Sequence, residues 1–456
     1  MKKALSLVLA FMLLLSCAAC GSKTETPASK SPESSAPADT ETEAPVTETE
    51  EPGDVDLTGE LRITVQSWML NRYDFEAMKA EFEAAHPGVT VVYNKVDNAD
   101  VTTNMLQWSQ GKTDCDIAIG GSREHAVQYA AKDYIIEFED EFFTGEFAKD
   151  KFFDAFLDLG NVEGTQYMIP FTGEVMFIVC NTELMGNADL VNDDGTIDAP
   201  ATWEELYDYA KAATVTEGGK LVKTGLSIDW GTNFMCYSYL SALQGMRGDI
   251  YEADGTTMDF TSEESAALLT MWQKLVADGY SPTDTFADMD AGRTNFKANN
   301  VAMLMTAASR WIECQENLGG ADTTTLIPIP GTSENGTLAY IHGAVIPKVS
   351  PQVELAKLFI KEQLLNENVH KTALNLNGKM SPILAHYEGL DNPDWPMVIA
   401  ATESGITNPL YKDFSKLDTA MQVELQKCIM GSQSVEATQK NLGELMKTLD
   451  LTTGLK

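Results

Sequence analysis

The residue types that commonly carry out hydrolysis or phosphate chemistry are present in this chain, but not at the spacing those reactions require. Five histidines are scattered along the sequence and form no His-Glu-x-x-His zinc pair. Gly111-Lys112-Thr113 could end a phosphate-binding loop, but position 106, which would have to be glycine, is Leu106. There is no Gly-x-Ser-x-Gly element and no plausible Ser-His-Asp order. The sequence therefore predicts no catalytic residue, no metal and no cofactor, although an acid/base pair among its 68 acidic residues remains an alternative.

Cysteine chemistry is indicated at the N-terminus. Residues 18–22 read Ala-Ala-Cys-Gly-Ser and follow two lysines and an apolar run over 4–15. That run is shorter than the roughly 20 residues that a membrane-spanning helix needs. The pattern resembles a lipoprotein signal sequence, which implies a signal peptide over 1–20 and lipidation of Cys20. Cys17 is an alternative lipidation site, and an ordinary secretory signal is the alternative to lipidation.

Residues 21–57 are rich in serine, threonine, proline and glutamate and contain no aromatic residue. Such a segment cannot bury enough apolar surface to offset the entropy of ordering it, so we predict a disordered, acidic tether. A lipidated cysteine followed by a tether predicts a folded domain anchored at the extracellular face of the cytoplasmic membrane. Because one acyl chain binds a membrane only marginally, stable anchoring implies more than one.

The charge balance bears on possible partners. The formal net charge is −36, and no basic stripe with interleaved aromatic residues is present, so nucleic-acid binding is not expected. The five cysteines beyond the N-terminal segment are odd in number and show no zinc or disulfide spacing. We expect them to be mostly buried thiols: Cys115, Cys180, Cys236, Cys314 and Cys428.

The elements that would position a site alternate regularly at the start of the globular part. Strand-like alternation over 61–65 is followed by apolar residues at helical spacing over 75–85, and a second strand is predicted over 89–93. Another helix over 101–108 leads to a strand over 116–121. This β-α-β-α-β order predicts an α/β fold in which helices cover the strands of a sheet.

Two later helices carry N-terminal capping signals. Thr202-x-x-Glu205 and Thr261-x-x-Glu264 each precede an apolar-periodic stretch. A threonine three residues before a glutamate can satisfy free backbone N–H groups at a helix start. We therefore expect helices to begin directly after Thr202 and Thr261.

The order of several short motifs resembles the family-1 extracellular solute-binding proteins, the sugar-binding components of ABC importers. The resemblance covers nearly all of 57–456. No single motif is specific, but their order is. They are Phe82-Glu-x-x-His86-Pro-Gly-Val89, Asp114-x-Asp116-Ile117, Gly164-x-x-Tyr167-x-Ile169-Pro170, Thr202-Trp203-Glu-Glu-Leu206, the stretch from Ala287 to Met303, Ile329-Pro330-Gly331 and Gly431-Ser-x-Ser434-x-Glu436-Ala437.

The resemblance implies a two-lobed, periplasmic-binding-protein-like fold, each lobe a sheet flanked by helices, with the ligand cleft between the lobes. Lobe one would comprise 58–170 and 331–366, and lobe two 171–330 and 367–456. Hinge closure would then enclose the solute.

A sugar site needs flat aromatic surfaces together with paired hydrogen-bond donors and acceptors. Trp68 follows the first strand, at the end of the sheet where α/β clefts usually lie, and Arg72 is close by. Trp230 and Asn233 occupy a similar strand-end loop. For both tryptophans the alternative is a place in the core.

Other candidates depend on the family resemblance, which implies a cleft-lining turn over 120–124, a carboxylate just past the first crossover and a tryptophan after the Ala302-Met303 pair. That tryptophan falls about two residues later than in relatives, so a neighbouring arginine could take its role. The candidates are Ser122, Arg123, Glu124, Glu174, Asp290, Arg310, Trp311 and His342.

These features predict a non-catalytic, monomeric lipoprotein that captures a carbohydrate, most simply an oligosaccharide, for the permease subunits of an ABC importer. One alternative keeps the fold and changes the solute to a polyol, a glycosyl-phosphate or a peptide. The other is a surface-anchored glycoside hydrolase.

Overall fold

The computed structural model describes residues 57–97, 101–232 and 234–455, with the backbone alone at 101 and 102. Cys17, Cys20, the tether through residue 56 and Asn233 lie outside the described residues. The first elements form as the sequence predicts. In β1 the side chains of Leu61, Ile63 and Val65 alternate inward and are fully buried. Helix α1 begins after Asp74, whose carboxylate accepts a 3.0 Å hydrogen bond from the Ala77 N–H.

The strands range from two to thirteen residues. They are β1 (Gly59–Gln66), β2 (Val89–Val96), β3 (Ile117–Gly121), β4 (Asn161–Val162), β5 (Thr165–Gln166), β6 (Ile169–Asn181), β7 (Val215–Glu217), β8 (Lys220–Ile228), β9 (Val301–Ala307), β10 (Thr324–Ile327) and β11 (Ala339–Val345).

Helices cover the strands. They are α1 (Phe75–Ala85), α2 (Val101–Ser109), α3 (Arg123–Ala130), α4 (Asp154–Asp158), α5 (Thr182–Asn187), α6 (Trp203–Ala213), α7 (Phe234–Arg247), α8 (Glu263–Ala277), α9 (Ala291–Lys297), α10 (Arg310–Leu318), α11 (Thr332–Asn335), α12 (Val353–Phe359), α13 (Glu367–Asn377), α14 (Trp395–Glu403), α15 (Phe414–Ile429) and α16 (Val435–Met446). A π-helical turn over Ile360–Leu364 extends α12.

The main sheet is mixed, in the order β2-β1-β3-β11-β6-β9-β8-β7, with β10 also paired to β6. Its two ends contain the parallel pairs, β1 with β2 and β3 at one end and β8 with β9 at the other. Strand β6 joins them, since residues up to Val175 pair with β11 and residues from Met176 pair with β9. All thirteen residues of β6 are buried. The fold is α/β, with helices flanking each half of the sheet.

The hydrophobic residues form three clusters. One gathers around β1, β2 and β3 with α1 and α12. Another gathers around β8 and β9 with α6, α7, α8 and α15. The third takes residues from β6, β9 and β11 and packs against α4, α10 and α14. The two ends of the sheet thus have separate cores, as expected for two lobes that share β6.

Several side chains lie where the sequence predicts. The five cysteines at 115, 180, 236, 314 and 428 are buried and free, which confirms their interpretation as buried thiols. Thr202 caps α6, since its hydroxyl accepts from the Glu205 N–H at 3.2 Å. The prediction for α8 is wrong by one residue, because Ser262 rather than Thr261 accepts from a backbone N–H, that of Ser265. None of the helices in the described part of the chain is long and apolar enough to cross a membrane.

Candidate functional site

The centre of the sheet presents polar and aromatic side chains on one face. Tyr340 and His342 are two residues apart in β11 and therefore point to the same side. In the antiparallel pairing with β6, Tyr340 lies opposite Glu174 and His342 lies opposite Thr172. Trp68 follows the end of β1, and its ring contacts His342. Strand register thus brings together three residues that the sequence proposes, Trp68, Glu174 and His342.

Five rings form a continuous series, which we call the aromatic row: Trp68, His342, Tyr340, Tyr237 and Phe234. Trp68 meets His342 edge-on, with ring centroids 4.9 Å apart. Tyr340 lies 6.0 Å from His342 and stacks on Tyr237 at 4.6 Å. Phe234 lies 5.9 Å from Tyr237. The two tyrosines are buried, whereas Trp68, His342 and Phe234 are half-buried, so the row keeps partly exposed ring surface at both ends.

A buried ion pair lies beside the row. The Lys379 ammonium contacts the Glu174 carboxylate and donates to the Ser309 hydroxyl at 3.2 Å. The other Glu174 oxygen accepts from the Ser309 N–H at 3.2 Å. The ammonium also lies 5.3 Å from the centre of the Trp68 ring, within the range of a cation–π contact. Lys379 therefore fixes the position of both a carboxylate and an aromatic ring.

Burial changes the titration of this region. It lowers the pKa of His342 to about 3, and the Lys379 ammonium adds to this effect. The imidazole is therefore neutral near pH 7, and its Nδ1 atom is buried with no hydrogen-bond partner among the described residues. Burial also lowers the pKa of Lys379 to about 8, although Glu174 opposes this shift.

A second charged group lies around Glu313, whose side chain is 3% exposed. Four cations contact its carboxylate: Arg72 at 2.8 Å, Lys297 at 2.7 Å, Arg293 at 3.4 Å, and Arg310. Burial alone would raise the pKa of Glu313, but these cations lower it well below its usual range. We call these five residues the Glu313 cluster.

Arg310 connects the Glu313 cluster to the aromatic row. Burial would lower its pKa, but Glu313 and Glu174 raise it, and Tyr340 and Asp229 contribute to the same effect. The guanidinium thus remains charged and interacts with groups on both sides. Arg72 and Arg310, which the sequence proposes separately, therefore lie in one cluster.

The turn over 120–124 places its three candidate side chains differently. Ser122 caps α3, and its hydroxyl contacts Glu124 Oε1 at 2.5 Å and His125 Nδ1 at 2.7 Å. Glu124 is one of the charges that raise the pKa of Tyr237, after burial, so it lies near the aromatic row. Arg123 instead binds Asp158 at 3.1 Å. Asp158 lines a separate cavity of about 440 Å³.

The structure does not bring Trp230, Trp311 or Asp290 to the aromatic row. Trp230 is 1% exposed and stacks on Phe286 at 5.3 Å inside a hydrophobic cluster. Trp311 is fully buried and meets Trp395 at 4.7 Å. Asp290 is exposed and pairs with Arg293, at the edge of the Glu313 cluster. For Trp230 a place in the core is the alternative given by the sequence, whereas for Trp311 the alternative is that Arg310 takes its role.

Sequence reasoning missed several members of this region: Lys379, Tyr237, Tyr340 and Glu313. Lys379 follows a helix-ending glycine in a stretch without a motif, and its partner lies 205 residues earlier. Tyr340 precedes His342 by two residues in a strand, and that spacing was the one signal that could have indicated it. Tyr237 and Glu313 lie on helices, where aromatic and acidic residues are too common to single out.

The arrangement suits binding more clearly than catalysis. Within residues 57–97, 101–232 and 234–455, no group of three histidine, cysteine or acidic side chains is placed to hold a metal ion. Two buried carboxylates of the region, Glu174 and Glu313, are each held by cations, and a third, Asp229, accepts from the Thr306 hydroxyl. Ring faces together with fixed charges are what a site for a polar solute requires.

The architecture is a two-lobed α/β fold. Three solved structures share it. The GacH receptor of Streptomyces glaucescens, studied with acarbose, has a TM-score of 0.71 and 18% identity, covering 88% of this chain and 100% of that one; Lmo0181 of Listeria monocytogenes, with cycloalternan, has a TM-score of 0.71 and 19% identity, covering 88% and 100%. A solute-binding protein of Thermotoga lettingae, with α-D-tagatose, has a TM-score of 0.73 and 17% identity, covering 86% and 99%.

The chain belongs to the bacterial extracellular solute-binding protein family, whose profile matches residues 70–369. Two curated relatives, from Brucella abortus and Brucella suis, carry the name of a binding protein. Each is 26% identical over 252 residues, 55% of this chain. The chain spans 58% of the length of these relatives. Family and fold are both those of binding proteins.

Proposed function

We propose that this protein captures a carbohydrate, most simply an oligosaccharide, in a cleft lined by the aromatic row and delivers it to an ABC importer. The observation that carries the proposal is the row itself, flanked by the charged side chains of Glu174, Lys379 and Arg310. Pyranose rings stack on aromatic faces through their C–H groups, and charged side chains hydrogen-bond their hydroxyls. The acarbose, cycloalternan and tagatose bound by proteins of this fold support the same ligand class.

The proposed lobes are 58–170 with 331–366, and 171–330 with 367–456. On this division the row joins Trp68 of lobe one to Tyr237 and Phe234 of lobe two. The 2.8 Å ion pair between Arg72 and Glu313 also crosses between the lobes. A solute that contacts both lobes favours closure to the extent that it binds the closed state more tightly than the open one.

The proposal places the protein at the cell surface. Residues 1–20 would form a lipoprotein signal that is cleaved before Cys20. Cys20 would carry the lipid, and 21–57 would tether a monomeric domain to the extracellular face of the membrane. Radiolabelled palmitate supplied to a bacterial host tests the anchor. We expect label in the wild type and in Cys17→Ser, and none in Cys20→Ser. The reverse pattern would assign the lipid to Cys17.

The ligand class is tested by calorimetric titration of the purified chain with maltose, maltotriose, cellotriose and sorbitol, followed by chromatography of the mixtures. We expect at least one sugar to bind, to raise the melting temperature by mass action and to be recovered intact. Cleavage of a sugar would favour the hydrolase alternative. Binding of sorbitol alone would favour a polyol.

The place of binding is tested with Trp68→Ala, which we expect to weaken the affinity about tenfold by removing an aromatic face. Tyr207→Ala is the matched control, since Tyr207 is a partly exposed aromatic on α6 that contacts Lys274 outside the row. An equal loss of affinity in both variants would argue against the aromatic row as the binding surface.

A further inference from the structure

The Glu313 cluster is unusual in a chain that has 68 acidic residues and only 32 lysines and arginines. Four of those 32 cations converge on one carboxylate. They come from different segments, because Arg72 follows β1, Arg293 and Lys297 lie on α9, and Arg310 begins α10. Their side chains are only 14–28% exposed. Holding four like charges together at this burial costs free energy unless anions compensate for it.

The carboxylates nearby do not balance these cations. Glu313 contacts all four, and Asp290 contacts Arg293. Asp229, whose pKa burial raises to about 6, hydrogen-bonds to Thr306 instead. Glu174 is matched by Lys379. Asp229 nevertheless interacts electrostatically with Arg310 and is mostly ionised near pH 7. Four cations and three carboxylates therefore leave an excess of one positive charge.

The hydrogen-bond donors of the cluster also outnumber its acceptors. Each guanidinium carries five N–H donors and each ammonium three, whereas one carboxylate offers two oxygens with about four acceptor positions. A planar guanidinium is suited to hold a carboxylate or phosphate with two parallel hydrogen bonds. The cluster is therefore a cradle for an oxyanion.

The cluster adjoins the proposed sugar site. Ser309 directly precedes Arg310, and its N–H donates to Glu174 at 3.2 Å while its hydroxyl accepts from Lys379. The charge of Arg310 also interacts with Glu174 and Tyr340. We infer that the solute is a sugar bearing an oxyanion (carboxylate, sulfate or phosphate) whose charged group is held by Arg72, Arg293, Lys297 and Arg310 while its ring lies against the aromatic row. This inference rests on the proposed function and specifies its ligand.

The test compares matched sugars on the purified full chain. Calorimetric titrations use glucose, glucuronate, glucose 6-phosphate and glucose 6-sulfate, and the α-1,4-linked trimers of galactose and galacturonate. We expect an anionic member to bind at least tenfold more tightly than its neutral counterpart, since charge-assisted hydrogen bonds are the stronger kind. That advantage should shrink when NaCl rises from about 20 to about 300 mM, because the cations are partly exposed. The monosaccharide arms identify which oxyanion is bound.

The double variant Arg293→Gln/Lys297→Gln tests the placement. It leaves Glu313 paired with Arg72 and Arg310, so no buried carboxylate loses all its cations, and the Asp290 carboxylate that it frees is exposed. We expect it to reduce the advantage of the anionic sugar roughly tenfold and to change binding of the neutral sugar less than about twofold. Lys447→Gln, at an exposed lysine paired with Glu444, is the charge-matched control and should change neither.

The outcomes separate this inference from the proposed function. If neutral sugars bind as tightly as their anionic partners, or if the double variant keeps the full anionic advantage, the inference is overturned and sugar capture stands. If inorganic phosphate or sulfate alone binds as tightly as any anionic sugar, the cluster is an inorganic-ion site and the inference is overturned. If no sugar of either kind binds, both are overturned.

Discussion

Glu174 and Glu313 are two buried carboxylates with very different surroundings. Glu174 is 1% exposed and has a single ion-pair partner, Lys379, whose ammonium also binds Ser309. Glu313 is 3% exposed and has four partners. The first pair is neutral, and each Glu174 oxygen accepts a hydrogen bond from the protein. The second group carries excess positive charge and more donors than its acceptors can fill.

This difference separates structural charge from functional charge. A neutral buried pair needs no additional counter-ion, and its role is to fix the geometry around Trp68. A group that remains unbalanced costs stability, and proteins retain such groups where a ligand completes them. Removing one cation should therefore cost much stability at Glu174 and little at Glu313.

The largest effect is expected for Lys379→Met. This change leaves Glu174 buried without its cation, and breaking a buried pair in this way costs about 3–5 kcal/mol. Urea denaturation measures the loss. Adding Glu174→Gln to Lys379→Met should recover part of it, because the uncompensated charge is then removed. If Lys379→Met alone were as stable as the wild type, Lys379 would not be compensating the buried charge of Glu174.

A smaller loss, about 2–3 kcal/mol, is expected for Glu313→Gln, because it leaves four cations in mutual repulsion. Since those cations are partly exposed, added salt should restore much of the stability, whereas it should not restore Lys379→Met. Urea denaturation at low and high NaCl checks this, with the exposed Glu444→Gln as control. If NaCl did not restore the stability of Glu313→Gln, the Glu313 cluster would not carry excess positive charge.

The fold could be predicted from the sequence because its signals are local. Residues 61–65 alternate, 75–85 repeat at helical spacing, and both patterns follow directly from which faces are buried. Errors arose where neighbouring residues compete for one role, as at Thr261 and Ser262, since either hydroxyl can cap a helix. Local chemistry does not decide between them.

The site could be predicted only in part. Trp68 and Trp230 both follow strand ends, yet the first lies beside His342 and the second is enclosed by Phe286 and Trp272. The side to which a loop residue turns depends on packing, which a strand-end position does not specify. Lys379 was not predicted for a related reason, because its place in the site depends on a contact with Glu174, which is distant in sequence.

Asp418 is a third buried carboxyl, and there the uncompensated charge is negative rather than positive. Burial, with a contribution from Glu124, raises its pKa to about 7, and its Oδ1 atom is buried with no hydrogen-bond partner in the part of the chain that the structure describes. A raised carboxyl pKa means that the folded state loses stability as the pH rises from about 4 to about 7. Asp418→Asn removes this cost, so we expect it to be more stable than the wild type by about 1–2 kcal/mol at pH 8.

This stabilisation should decrease as the pH falls and vanish below about pH 4, where the Asp418 carboxyl of the wild type is protonated in both the folded and the unfolded state. Denaturation curves between pH 4 and pH 8 measure it, and Asp322→Asn, at an exposed aspartate, is the control. If the stability difference between Asp418→Asn and the wild type did not change with pH, the carboxyl would not be titrating in this range.

The smallest effect is expected where the cluster has cations to spare. Arg293→Gln leaves Glu313 with Arg72, Lys297 and Arg310, and it frees only an exposed carboxylate, that of Asp290. The lost attraction is offset by the relief of repulsion among the cations, so stability should stay within about 0.5 kcal/mol of the wild type. Urea denaturation of Arg293→Gln beside Lys379→Met gives the direct contrast. If both variants lose several kcal/mol, the Glu313 cluster is as tightly balanced as the Glu174 pair, and its cations would be structural rather than held ready for an anion.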